Sequence, residues 1–206
     1  MQSPSNNIMN KLARSILSLY SYSDVTENTT IEDEMSIALD LIAKMPILMD
    51  GAYQAKRHKY DNASLIMHPL RPEENTAESI LSLIRNDRSY TKAEAQLLDT
   101  LLALHADHGG GNNSTFACRV ATSSGTDPFA AYTSAINSLK GPRHGGANIK
   151  VIQMLDDIKA HVAHWENEGE VADYLTKILR KEANDGSGLI YGMGHAAKII
   201  TQPIPM

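Results

Sequence analysis

The chain has 206 residues, of which 42% are apolar and 21% are charged, and its net charge is −5. These values are typical of a globular protein with a buried core, and the negative charge argues against a dedicated nucleic-acid binder. The single cysteine, Cys118, excludes an intramolecular disulfide framework. No apolar run reaches membrane-spanning length and the N-terminus lacks a signal-peptide core, so we expect a soluble, cytoplasmic protein.

The first sixty residues show the three-to-four-residue periodicity of helices. Residues 7–22 place four apolar residues on one helix face: Ile8, Leu12, Ile16 and Leu19. Thr30 and Asp33 then predict a capped helix. Its apolar side is predicted to contain Met35, Ala38, Leu39, Ile42 and Ala43. Pro46 should end or kink this helix, so we expect two helices in tandem.

Two further helices are predicted before residue 111. Residues 59–75 form a proline-marked loop, with a possible short strand near residues 65–67, and residues 75–87 form a short amphipathic helix. Thr91 and Glu94 form a capping box that opens a helix ending near Ala106. The glycines at 109–111 are predicted to terminate it.

The second half of the chain is also predicted to be helical. Residues 112–125 contain a short helix, and Asp127 followed by Pro128 starts another that runs to about Lys140. Two more helices are expected, from about Ala147 to Ala163 and from Asn167, paired with Glu170, to about Glu182. The predicted fold class is therefore all-α.

Five of the eight histidines have ordinary structural interpretations. His58 and His68 lie in polar, loop-like sequence, whereas His105, His161 and His164 fall on predicted helices. Side chains in such places are usually structural or simply hydrated. We therefore assign no chemistry to these five.

The other three histidines each lie beside a glycine. His108, His144 and His195 are therefore expected at helix boundaries or in tight turns, where helix N-termini offer unpaired N–H groups. A neutral imidazole at such a place is a poor base but can donate a hydrogen bond to a carbonyl oxygen, which is one way to stabilise an enolate. The alternative is that each glycine is only a helix C-cap.

Two other site types deserve comparison. In "HADH", His105 and His108 are spaced as metal ligands can be on a helix, but no third ligand follows, so we predict no metal site. "SGLIYGMGHAAK" is rich in glycine and could cradle a phosphate. It does not follow a predicted strand or fit a known nucleotide-binding spacing, which makes it a weak signal alone.

Two segments, which together contain three histidine motifs, resemble the citrate synthase family in its type II-like bacterial form. They are "LHADHGGGNNSTFACRVATSSGTDPFAAYTSAINSLKGPRHGGAN", which contains two family histidines, and "GLIYGMGHA", which contains the third. The similarity extends from about Asn7 to Ala197. It implies a multi-helix large domain, with its central part at residues 1–143, and a partial helical small domain at residues 144–206.

The resemblance also implies roles for individual residues. His144 matches the histidine that hydrogen-bonds the thioester carbonyl of acetyl-CoA, and His195 the one that donates to the carbonyl of oxaloacetate. His108 matches an oxaloacetate-binding histidine. Coenzyme A contacts are implied for Ile190, Tyr191, Gly192, Met193 and Gly194. The implied reaction joins acetyl-CoA and oxaloacetate, with no permanently bound cofactor and coenzyme A as the acyl carrier.

The sequence also departs from the family pattern. Where the family continues after the third histidine with Ser-Asp-Pro-Arg, residues 197–206 read "AKIITQPIPM". We therefore expect a fragment, short at both ends, that lacks the family's catalytic aspartate and two arginines and cannot complete the reaction alone. The alternatives are a 2-methylcitrate synthase, or a non-catalytic remnant that binds coenzyme A or pairs with another subunit. A homodimer is expected from the helices on either side of His108.

Overall fold

The computed structural model of the chain describes residues 3–24, 27, 29–106 and 111–193. Those residues form helices and no strand, which confirms the all-α prediction. The helices are α1 Ile8–Ser18, extended by a 3₁₀ turn at Leu19–Tyr22, α2 Ile31–Tyr60, α3 Thr76–Ile84, α4 Lys92–Ala106, α5 Asn113–Ser123, α6 Pro128–Leu139, α7 Ala147–His161 and α8 Glu168–Leu179. By contacts the chain divides into two compact units, Met1–Lys140 and Gly141–Met206.

Side-chain caps fix where most of these helices begin. An oxygen of each capping residue accepts the N–H three residues ahead at 2.9–3.2 Å, as seen at Asn7, Thr30, Asn75, Thr91 and Asp127. In α2, α3 and α4 the backbone N–H of the capping residue also donates to the carboxylate three residues ahead. These bonds satisfy donors that have no partner inside a helix, and they confirm the predicted starts.

The core of the first unit lies between α1, α2 and α6. Its buried side chains are Leu12, Ile16, Ile37, Leu41 and Phe129. Tyr20 packs edge-on against the ring of Phe129, with centroids 6.4 Å apart. The face of α1 that periodicity predicts to be buried is therefore confirmed at its centre.

Pro46 does not end α2, so the prediction of two tandem helices is wrong. The helix is continuous from Ile31 to Tyr60 with Pro46 inside it and buried. A proline costs a helix one hydrogen bond, but the helix continues where packing holds both sides. Here Leu41 is buried before the proline and Ala52 after it.

The predicted apolar side of α2 is also wrong. Met35, Leu39 and Ile42 are 62%, 65% and 59% exposed, whereas Ile37 and Leu41 face the core. Apolar residues recur on two sides of this helix, so periodicity alone could not choose between them. The choice is made by packing against α1 and α6.

The loop between α2 and α3 contains no strand in the part of the chain that is described, and the strand proposed near residues 65–67 is therefore wrong. A short extended segment is stable as a strand only beside a partner strand. Among the described helices, none is long and apolar enough to cross a membrane.

The second unit is built on α7 and α8. Met154, Ile158, Val162 and Ile178 form its buried cluster, against which Ile190 and Tyr191 pack. Asn167 caps α8 as predicted, but Glu170 accepts a hydrogen bond from the Ala163 N–H at 2.7 Å instead of returning one to Asn167. The assignment of residues 1–143 and 144–206 to large and small domains stays a prediction.

We expect Ile16→Ala to lower the free energy of unfolding by about 2–5 kcal/mol, because it leaves a cavity in the core. The neighbouring side chain of Leu17 is 47% exposed, against 2% for Ile16. Leu17→Ala should therefore change stability by no more than about 0.5 kcal/mol. Urea unfolding followed by circular dichroism measures both. Equal effects would contradict this description of the core.

Candidate active site

A tight backbone turn presents His144 just before α7. The N–H groups of His144 and Gly145 both donate to the carbonyl oxygen of Gly141, each at 3.0 Å. His144 itself is partly buried. The backbone around this histidine is thus held by local hydrogen bonds, and α7 begins three residues later.

Position 146 must be glycine for this turn to form. A Cβ atom there would lie 2.2 Å from the carbonyl oxygen of Pro142, far inside contact distance. Gly146 is also the N-cap of α7, where it has no side chain to accept the first-turn N–H groups. The turn therefore leaves the positive end of the helix beside His144 without a side-chain cap at that position.

A second turn, at residues 185–193, lies against the first two turns of α7. Gly192 has a φ of +86°, which side chains rarely tolerate, and a Cβ there would lie 3.2 Å from a methyl group of Val151. Ile190 and Tyr191 pack against the core of the unit, whereas Met193 is 76% exposed. We call residues 190–193 the exposed loop.

Asp185 joins this loop to α7. Its Oδ2 accepts from the Lys150 ammonium at 3.0 Å and from the Tyr191 hydroxyl at 2.7 Å. Hydrogen bonds from Ser187, Tyr191 and Lys150 hold the pKa of Asp185 well below its usual range. The same contact with Asp185 raises the pKa of Lys150. Both groups are therefore charged at neutral pH.

The comparisons with known proteins concern almost the whole chain. The family model described as "Citrate synthase, C-terminal domain" matches residues 1–201. The chain belongs to the citrate synthase family.

Individual citrate synthases agree with that assignment. The chain is 32% identical over 191 residues to a citrate synthase of Corynebacterium glutamicum, covering 91% of this chain and 40% of that protein. It is 33% identical over 165 residues to one from Synechocystis sp., covering 79% and 36%. A mitochondrial 2-methylcitrate synthase of Fusarium solani is 29% identical over 167 residues, covering 81% and 33%. The chain thus spans well under half the length of these curated relatives.

The structure brings the His144 motif and residues 190–193, which precede His195 in the chain, to one helix. The His144 turn leads directly into α7. In that helix Val151 lies beside Gly192 of the exposed loop, and Lys150 contacts Asp185, which binds Tyr191 of the same loop. His108, His195 and Gly194 lie outside the described residues, as does the glycine pair at 109–110. The roles of these residues stay predictions.

Three of the five remaining histidines lie where the sequence predicts, His105 and His161 on helices and His68 in a loop. Ring nitrogens of His105 and His161 lie 2.6 and 2.7 Å from the carbonyl oxygens of Leu101 and Asp157, one helical turn earlier. Two lie elsewhere than predicted: His164 follows the end of α7 and is not helical, and His58 lies in the last turn of α2 and not in a loop. α2 extends through that polar sequence to Tyr60.

The metal hypothesis for "HADH" gains no support from the described residues, which contain no group of three potential ligands. Asp107 and His108 of that segment lie outside them. Sequence reasoning did not find the Lys150–Asp185 pair. The two residues are 35 positions apart and no local pattern connects them.

We expect Gly146→Ala to open the His144 turn and lower the free energy of unfolding of the second unit by about 1–3 kcal/mol, since the new methyl group has no room. Trp165, the single tryptophan, lies in that unit and reports its urea unfolding by fluorescence. The control is Gly51→Ala on α2, where a Cβ meets nothing within 4 Å. By circular dichroism the control should be neutral or stabilising. Parent-like stability of Gly146→Ala would contradict the close approach to Pro142.

Proposed function

We propose that this chain carries part of the active site of a citrate synthase, which condenses acetyl-CoA with oxaloacetate and releases citrate and free coenzyme A. His144 donates to the thioester carbonyl, and residues 190–194 contact the coenzyme A portion. His195 and His108 bind oxaloacetate. No metal or redox cofactor takes part in the proposed chemistry.

The observation that carries this proposal is the turn at residues 141–146. It presents an imidazole beside the N-terminus of α7, through backbone bonds to Gly141 and a glycine that no other residue can replace. Donors fixed in this way suit an oxygen on which negative charge develops, because they need no reorganisation during the reaction. The exposed loop lies against the same helix, where Met193 offers apolar surface to a ligand.

The chemical need for such donors follows from the reaction. The methyl group of a thioester is a very weak acid, so removal of its proton requires that the enolate oxygen be stabilised. The enolate carbon then attacks the ketone carbon of oxaloacetate, and water hydrolyses the thioester to release coenzyme A. A hydrogen-bond donor on each substrate carbonyl would assist both the proton removal and the attack.

Two alternative functions follow from the same family. A 2-methylcitrate synthase would take propionyl-CoA in place of acetyl-CoA, and one similar relative bears that name. A protein that binds coenzyme A without turnover is the other. Comparing the affinities for acetyl-CoA and propionyl-CoA, and testing for thiol release, distinguishes these from the leading proposal.

We expect acetyl-CoA and coenzyme A to bind the 206-residue chain, as measured by calorimetry with oxaloacetate present. His144→Ala should weaken acetyl-CoA binding about threefold to tenfold and leave coenzyme A binding unchanged, because only the thioester has the carbonyl that His144 contacts. His164→Ala, at an exposed histidine of the same unit, is the control.

Thiol release on adding both substrates separates catalysis from binding. Release that is lost in His144→Ala would support full citrate synthase activity and show that the expected inability to turn over is wrong. Binding without release would favour the coenzyme A-binding alternative. If no acyl-CoA or coenzyme A binds at millimolar concentration, the proposed function is wrong.

We further propose that the chain forms a homodimer through α4 and α5. Leu97, Leu101 and Leu104 recur on one face of α4 and are 63%, 41% and 66% exposed, and Phe116 on α5 is 68% exposed. Large exposed apolar side chains grouped on helices in this way are typical of subunit interfaces. The expected location agrees with the family resemblance around His108.

Light scattering after gel filtration tests the dimer. Phe116→Glu should convert a dimer to a monomer without loss of helical circular dichroism, because it buries a charge in the interface. Met35→Glu is the control, since Met35 is 62% exposed on α2 and should leave the dimer intact. A parent chain that is monomeric at tens of micromolar would overturn this proposal.

A further inference from the structure

The Asp185 carboxylate is the centre of a hydrogen-bond network in the second unit. Oδ2 accepts from Lys150 at 3.0 Å and from Tyr191 at 2.7 Å, and Oδ1 accepts from the backbone N–H of Ser187 at 3.1 Å. The Tyr191 hydroxyl also lies 3.3 Å from the Ser187 hydroxyl. Both carboxylate oxygens are therefore used, by donors from three places in the chain.

These contacts limit what Asp185 can do chemically. A carboxylate held by three donors is a weak proton acceptor, and its pKa is lowered accordingly. It is thus unsuited to remove a proton from a substrate. Lys150 and Asp185 are 46% and 29% exposed, so their ion pair also adds little to stability. The network has to be explained by what it holds in place.

What it holds is Tyr191, the residue before the positive-φ glycine of the exposed loop. Tyr191 is anchored at both ends, because its ring packs on the core and its hydroxyl is bound by Asp185. The next residue, Gly192, has a φ of +86°, and Met193 donates to the Ile190 carbonyl at 3.3 Å. The direction of the backbone at 192–193 therefore depends on where Tyr191 is fixed.

We propose that Asp185 is a positioning residue, which holds Tyr191 against α7 through Lys150 and so presents the backbone of Gly192 and Met193 to the coenzyme A portion of the substrate. The ligand in this inference rests on the proposed function. The positioning of the loop does not, because it follows from the contacts of Asp185 alone.

Asp185→Asn and Tyr191→Phe test this inference, since the first removes the charge and the second removes only the hydroxyl. The second unit contains a matched control in the hydrogen bond from the Tyr174 hydroxyl to Asp157 Oδ2, at 2.8 Å. Tyr174→Phe removes that bond and Asp157→Asn weakens it by removing the charge of the acceptor, and both should leave the exposed loop unaffected.

The first measurement is amide hydrogen exchange in the chain without ligand. Asp185→Asn and Tyr191→Phe should each raise the exchange rate of the Met193 amide about threefold to tenfold, the loss expected for one hydrogen bond. Neither control variant should change it. If Asp185→Asn leaves the exchange at Gly192 and Met193 unaltered, the inference is wrong, whatever the chain binds.

The second measurement is coenzyme A affinity by calorimetry. Each test variant should weaken binding about threefold to tenfold, and the double variant should bind no worse than the single ones, because both changes break the same contact. Lys150→Arg keeps the charge and should retain parent affinity, whereas Lys150→Met should not. Test variants that bind as tightly as the parent would overturn the proposed role in binding. A parent that binds no coenzyme A, with altered exchange in Asp185→Asn, would overturn the proposed function and leave the positioning of the loop supported.

Discussion

The close approach of the Pro142 carbonyl to Gly146 is the constraint on which the second unit depends. A Cβ at 2.2 Å from that oxygen is impossible, so the chain can turn into α7 only if residue 146 has no side chain. The same lack of a side chain leaves the N-terminus of α7 without a cap at that position. One steric requirement thus determines the course of the backbone around His144. It also leaves the positive N-terminus of α7 beside this histidine.

In the first unit, packing outweighs local preference. α2 continues through Pro46 although proline is the residue least suited to a helix interior. The lost hydrogen bond is local, whereas burial of Ile37 and Leu41 against α1 and α6 involves a whole face of the helix. A 30-residue helix therefore forms where the local rule predicts two shorter ones.

Helix starts could be predicted because caps depend on residues three apart, as with Thr91 and Glu94. The buried side of α2 could not, because the choice between two apolar stripes is made by distant helices. In the candidate site, glycine beside histidine marked the His144 turn. The Lys150–Asp185 contact left no sequence signal, since it joins residues that only the folded unit brings together.

Charge neutralisation within the Asp185 network limits which groups could attract coenzyme A. The chain has a net charge of −5, so an anionic ligand needs local positive field. Lys150 does not provide it, because Asp185 neutralises its ammonium at 3.0 Å. The N-terminus of α7 and exposed cations such as Arg143, next to His144, can supply this field. The Asp185 network would then orient the loop, while separate groups attract the phosphates.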